Sequence, residues 1–207
     1  MSRAWKRVLV ALSLAAALCG PARAASHLTE RQAELVQKAE AALDGIRTLK
    51  SRFMQATSQG EVSQGTVYLS RPGRLRIEYD PPTPLLVVAN GAYFTFVDTQ
   101  LKQLSYLDLD ATPAGILLRE KISFADKDIR IRQVTEKNGI AEIRMTSTKD
   151  TSAGSLTLIF TLAPFELRQW RVIDAQGLVT DVTLEEPQIG VALKKSLFDT
   201  PQAPAQP

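Results

Sequence analysis

Cysteine is all but missing from this chain: its one copy, Cys19, falls within the first two dozen residues. Histidine is as scarce, with His27 alone. Without cysteine beyond the opening segment there is no disulfide framework and no thiol nucleophile. His27 stands close to the expected start of the processed chain, where ends fray, so Ser–His and Cys–His catalysis and nearly all zinc sites drop out. No Gly-rich phosphate loop or nucleotide motif occurs. No cofactor, metal site or catalytic residue is expected.

Long apolar runs are lacking too, with one exception at the start. MSRAWKR is basic, VLVALSLAAALCG is apolar but too short to span a bilayer, and Ala22-Arg23-Ala24 is a small-residue cleavage signal. Residues 1–24 therefore read as a signal peptide cleaved after Ala24, leaving 183 of the 207 residues. That is enough for one domain with a sizeable core, expected over 25–200. Leu18 is too bulky a neighbour for lipidation at Cys19. The leader holds four of the 25 Lys and Arg and no acid, so 21 bases face 22 acids in the rest. A chain so balanced gives no electrostatic case for nucleic acid or an anionic membrane.

Aromatic residues make up 6%, and beyond the leader Trp170 is the only tryptophan. An interior of Leu, Val and Ile with few large rings leaves room for a hollow. Acid pairs remain at Asp108/Asp110, Asp126/Asp128 and Glu185/Glu186. Near loop ends they read as solvated acids, and a carboxylate hydrolase is the weaker alternative.

What is present is β texture behind one helix. Thr29 and Gln32 form a capping box, and Val36, Ala39, Leu43 and Ile46 recur at helical spacing, predicting a helix from about Glu30 to Arg47. Its stripe suits either a core or a lid. Turn pairs such as Pro72-Gly73, Asn90-Gly91 and Asn138-Gly139 then punctuate eleven predicted strands. These lie at 50–58, 64–71, 74–80, 84–90, 93–98, 101–107, 128–136, 139–147, 155–162, 166–174 and 178–186. Thr112-Pro113 opens a second short helix through Leu118. Residues 201–207 are a Pro/Ala/Gln tail expected to be disordered. Consecutive hairpins without βαβ spacing imply one antiparallel, strongly bent sheet or barrel, with the helices over one opening.

In YLSRPGRLRIEYDPPTP (Tyr68–Pro84), Arg74, Arg76 and Glu78 alternate with Leu75, Ile77 and Tyr79 and are expected on an outer, solvated face. Arg71, before the turn, reads from the residues alone as a solvated strand end.

Several of these stretches together resemble the LolA family. Gly65 to Tyr79, with its Arg-Pro turn, is similar to the family's strand–turn–strand signature. Pro82, Val87 to Gly91, Phe96-Val97-Asp98, Leu101-Lys102-Gln103, the Thr112-Pro113 helix, Leu167 to Gly177 and Leu197-Phe198 follow in order. The chain departs from the pattern at Ile77, where an aromatic is frequent, and at Asn90, where Asp is. The resemblance implies an unclosed β-barrel of about eleven strands under a helical lid, with a hydrophobic cavity for acyl chains. It implies a periplasmic carrier moving lipoproteins from the inner to the outer membrane, and a monomer is the simplest expectation. An inner-membrane ABC lipoprotein-releasing complex would load it and an outer-membrane acceptor would unload it. It aligns Arg71 with the arginine that reaches from barrel to lid. Lid and wall candidates are Val36, Leu43, Ile77, Leu117 and Leu118. A carrier or sensor of another amphiphile, such as a glycolipid, is the alternative within the binding class.

Overall fold

The computed structural model describes residues 28–200. The signal peptide, His27 and the tail beyond Thr200 lie outside the described residues. Helix α1 (Glu30–Gly45) comes first, and eleven strands follow: β1 (Thr48–Thr57), β2 (Val62–Ser70), β3 (Arg74–Tyr79), β4 (Leu85–Asn90), β5 (Tyr93–Asp98), β6 (Gln103–Asp108), β7 (Ile129–Lys137), β8 (Ile140–Ser147), β9 (Ser155–Leu162), β10 (Phe165–Ile173) and β11 (Val179–Ile189). Short 3-10 segments occupy Leu109–Ala111, Pro113–Leu118 and Lys195–Phe198. All strands join one antiparallel sheet in the order β6-β5-β4-β3-β2-β1-β11-β10-β9-β8-β7. Its two edges, β6 and β7, are consecutive in the chain, and residues 109–128 connect them.

Helix α1 begins as its sequence requires. The Gln32 backbone amide donates to Thr29 Oγ1 at 3.3 Å, and Thr29 N donates back to the side-chain Oε1 of Gln32 at 3.0 Å. The same glutamine's Nε2 donates to Val134 O at 3.0 Å, tying the cap to the edge strand β7. Leu35, Val36, Ala39 and Leu43 are buried along the helix, and Ile46 just past it. The helix stops at Gly45, two residues short of the predicted end.

Strict alternation sends one set of side chains to the concave face: Phe53 from β1, Val67 and Leu69 from β2, Ile143 and Met145 from β8, Leu158 and Phe160 from β9. On the convex side a smaller cluster of Leu86, Val88 and Val97 packs with Leu104, so β4 is buried on both faces. The expected solvated face of β3 needs correction. Arg74 and Arg76 do point outward, but the C-terminal 3-10 segment lies over them. Arg76 Nη1 donates to Leu197 O at 3.3 Å, and the Arg74 guanidinium sits 5.9 Å from the Phe198 ring centroid. The second predicted helix stands where expected: Pro113–Leu118 winds as 3-10, capped by Thr112 Oγ1, which accepts from Ala114 N at 3.4 Å. A Cβ on Gly115 would run into the Leu109 carbonyl, so the segment folds back tightly on the one before it.

Gly65 shows how closely the strands are fitted. It pairs with Phe53 on one side and Tyr79 on the other, and those two rings meet over it edge to face at 5.3 Å. A Cβ there would stand 2.8 Å from the Phe53 ring and closer still to the Glu78 carbonyl oxygen. Gly65→Ala should therefore destabilise the fold by about 2–3 kcal/mol, a fall in Tm of roughly 5–10 °C; thermal denaturation of the two proteins side by side checks this.

Candidate functional site

Strand β2 ends at Ser70, and the next three residues, Arg71 to Gly73, turn the chain into β3. This turn is tied to the elements above the concave face by its own backbone. Arg71 N donates to Arg47 O at 2.9 Å, and Gly73 N donates to Leu118 O at 2.7 Å. Gly73 has φ +74°, and a Cβ on it would stand 2.7 Å from Gly91 Cα, so the β2–β3 and β4–β5 turns touch backbone to backbone.

Arg71 is not a solvated strand end. The residue is 7% exposed. Its Nε donates to Ile46 O at 2.8 Å, its Nη2 to Leu43 O, and its Nη1 to Arg119 O at 3.4 Å. The first two acceptors belong to the C-terminal end of α1, where carbonyls lack intrahelical partners and the helix dipole favours a cation. The third follows the 3-10 segment Pro113–Leu118. One planar guanidinium thus bridges both covering elements. The nearest carboxylate, Asp44, is 3.9 Å away. Burial pushes the guanidinium below the ordinary arginine range, with Asp44 acting against that and Arg47 adding to it.

Beneath Arg71 lies an apolar pocket of about 180 Å³. Seven strands and both covering segments reach it, and strands β6 and β10, its outermost contributors, would be about 34 Å apart in a flat sheet. The sheet must curl for their side chains to share one hollow. Leu43, Ile77, Leu117 and Leu118 all line it, together with Arg71. Val36, the remaining lid or wall candidate, is buried on α1 two helical turns before Leu43 and does not line the pocket. The volume is close to the ~150 Å³ of a cavity that accepts benzene.

Sequence reasoning missed part of the lining and the ties above it. Trp170 and Leu167 both face the pocket because a register shift between Leu167 and Gln169 resets the alternation of β10. Tyr79 lines the wall with its hydroxyl donating to Gln55 Oε1 at 2.8 Å. Glu40 and Asp44, one position past the apolar stripe residues Ala39 and Leu43, accept from Phe124 N at 2.6 Å and Ile122 N at 3.0 Å. Arg47 Nη1 donates to Glu120 O at 2.9 Å. Their spacing of four on one side of the helix was the available signal.

The acid pairs have structural partners or none. Arg119 contacts Asp126 at 3.2 Å and Asp128 at 2.5 Å, and that contact holds the Asp128 carboxyl below the usual range. The other two pairs stand apart from the pocket. No helix among the described residues is long and apolar enough to cross a membrane. Replacing both Glu40 and Asp44 by Ala strands two amides, a loss of about 1–3 kcal/mol apiece; hydrogen exchange at Ile122 and Phe124 should quicken in that variant before any change in the β8–β9 ladder.

Comparison with known proteins places this architecture. The profile of the family described as "Outer membrane lipoprotein carrier protein LolA" matches residues 44–201. The outer-membrane lipoprotein carrier protein of Azotobacter vinelandii is 30% identical over 203 residues, covering 93% of this chain and 92% of that protein. The protein of the same name from Pseudomonas aeruginosa is 29% identical, covering 80% and 84%. Among solved structures, a LolA superfamily protein from Nitrosomonas europaea superposes with a TM-score of 0.50 at 9% identity, covering 82% of this chain and 97% of that one. That last likeness concerns the fold alone.

Proposed function

Because the chain belongs to the LolA family of outer membrane lipoprotein carrier proteins, we propose that it is exported to the periplasm after cleavage at Ala24 and ferries lipoproteins there from the inner to the outer membrane. It acts as a monomer through a single carrier domain, without catalysis. An inner-membrane ABC complex loads it and an outer-membrane acceptor relieves it of cargo. The observation that carries this reading is the position of Arg71, which joins two covering segments directly above an apolar hollow.

The physics of a carrier explains why such a joint is useful. Burying a methylene gains about 0.8 kcal/mol, so two or three acyl chains fully dehydrated would gain roughly 25–35 kcal/mol. Non-covalent affinity ends near ~20 kcal/mol, and a protein that reached it would never let go. The closed pocket is too small for such cargo, so loading must part α1 from the segment after Leu118. Parting them breaks the bonds of Arg71 to at least one of the two, each close bond worth roughly 1.5–3 kcal/mol because one partner is charged. Bound cargo forgoes that energy, and its re-formation favours release. The wall residues Leu43, Ile77, Leu117 and Leu118 then serve as acyl contacts in the open form.

Arg71→Leu keeps the apolar contacts and removes the joint. It should still draw a labelled lipoprotein from spheroplasts into solution, yet transfer it to outer-membrane acceptor at least about tenfold more slowly than the parent. Transfer at the parent's rate would remove Arg71 from the release step. If the unmodified protein frees no lipoprotein but carries a glycolipid through purification, the cargo is a different amphiphile.

A further inference from the structure

The turn that carries Arg71 is gripped from two sides, and only the inner grip belongs to the site above. On the outer side, Arg74 Nη2 donates to Ser70 Oγ at 3.2 Å across the base of the turn. Phe198, 3% exposed, covers that pair with its ring over the Arg74 guanidinium. Arg76 Nη1 holds the same segment through Leu197 O at 3.3 Å, and Asn90 Nδ2 reaches Thr200 Oγ1 at 3.4 Å beside it. The turn residues between, Pro72 and Gly73, have no side chain that anchors them, and Gly73 rests on Gly91. The position of Arg71 is therefore set from outside as well as by the inner bonds of the turn.

We infer that the C-terminal segment Lys195–Phe198 is an external brace for the lid joint, with Phe198 and Arg74 as its positioning residues. The inference rests on the lid reading of Arg71 and adds a regulatory element to it. The brace is also built to be lifted. Among the described residues, Arg74 Nε is the buried side-chain atom left without a hydrogen-bond partner. While Phe198 seals the turn, that N–H is kept from water; raising the segment hydrates it, which offsets part of the loss of the Phe198 contact. Any contact that draws residues 195–198 off β3 and β4 thereby slackens the turn and loosens the lid from a face that the cargo never touches.

The test uses the empty, full-length protein and reads one amide. Gly73 N donates to Leu118 O, so its hydrogen exchange reports lid opening directly. In Phe198→Ala, Gly73 should exchange about tenfold faster while the β8–β9 ladder keeps its parent rate, and Phe198→Tyr, which retains the ring, should restore slow exchange. Arg74→Ala is the second variant, with the same expectation, should Phe198→Ala not fold. Unchanged exchange at Gly73, or equal acceleration through β8 and β9, overturns the brace. Arg71→Leu run in parallel separates the two ideas. If it fails to speed Gly73, the lid joint itself is wrong; if it succeeds where Phe198→Ala does not, the brace alone falls.

Discussion

A buried guanidinium whose nearest carboxylate, Asp44, stands 3.9 Å off and beyond hydrogen-bond reach is the constraint on which this molecule turns. Placing Arg71 under a lid costs desolvation that an ion pair would ordinarily offset. Here the compensation is backbone carbonyl oxygen, two from the end of α1 and one from the segment after Leu118. Those acceptors are available only while both elements stay in place. The charge is thus satisfied in one arrangement of the lid and incompletely in any other, which makes the closed form a defined state instead of one conformation among many.

The rest of the fold can be read as support for that arrangement. Eleven antiparallel strands supply a rigid frame whose concave side is apolar and whose convex side is polar, with a second apolar cluster only where β4 and β5 are covered. Glu40, Asp44 and Arg47 bind backbone groups of residues 120–124, so helix and connecting segment are cross-tied by side chain to main chain. Such bonds are orientation-specific yet individually modest. A covering layer held by several such bonds is fixed in orientation without depending on any single strong contact.

The strands were legible because alternation and turn pairs are local signals: all eleven predicted segments overlap the observed ones, and β5 and β9 match end to end. The first helix was legible through its cap and stripe. What escaped was set by long-range geometry. The bulge in β10 brings Leu167 and Trp170 to one side, where a period of two would part them. Four residues at Lys195–Phe198 are too few to show any period, and nothing in Arg74 or Arg76 announces that a distant segment will lie across them. Arg71 itself looks like any polar residue before a turn; family likeness pointed toward the lid, and only three-dimensional contacts identified its acceptors. Val36 and Leu43 share a stripe, and periodicity has no means of saying which of them meets a hollow.

Because β6 and β7 are neighbours in the chain and opposite margins of the sheet, the whole covering stretch from 109 to 128 is a single connecting loop in topological terms. Lengthening or shortening it alters no strand register anywhere in the ladder. Insertions at its exposed residues would change the shape of the closure, whereas Ile116, Leu118, Ile122 and Phe124 are buried in the main core and tie the stretch to the frame. The architecture therefore confines tolerance of length changes to the exposed parts of one connection and leaves the strand ladder untouched.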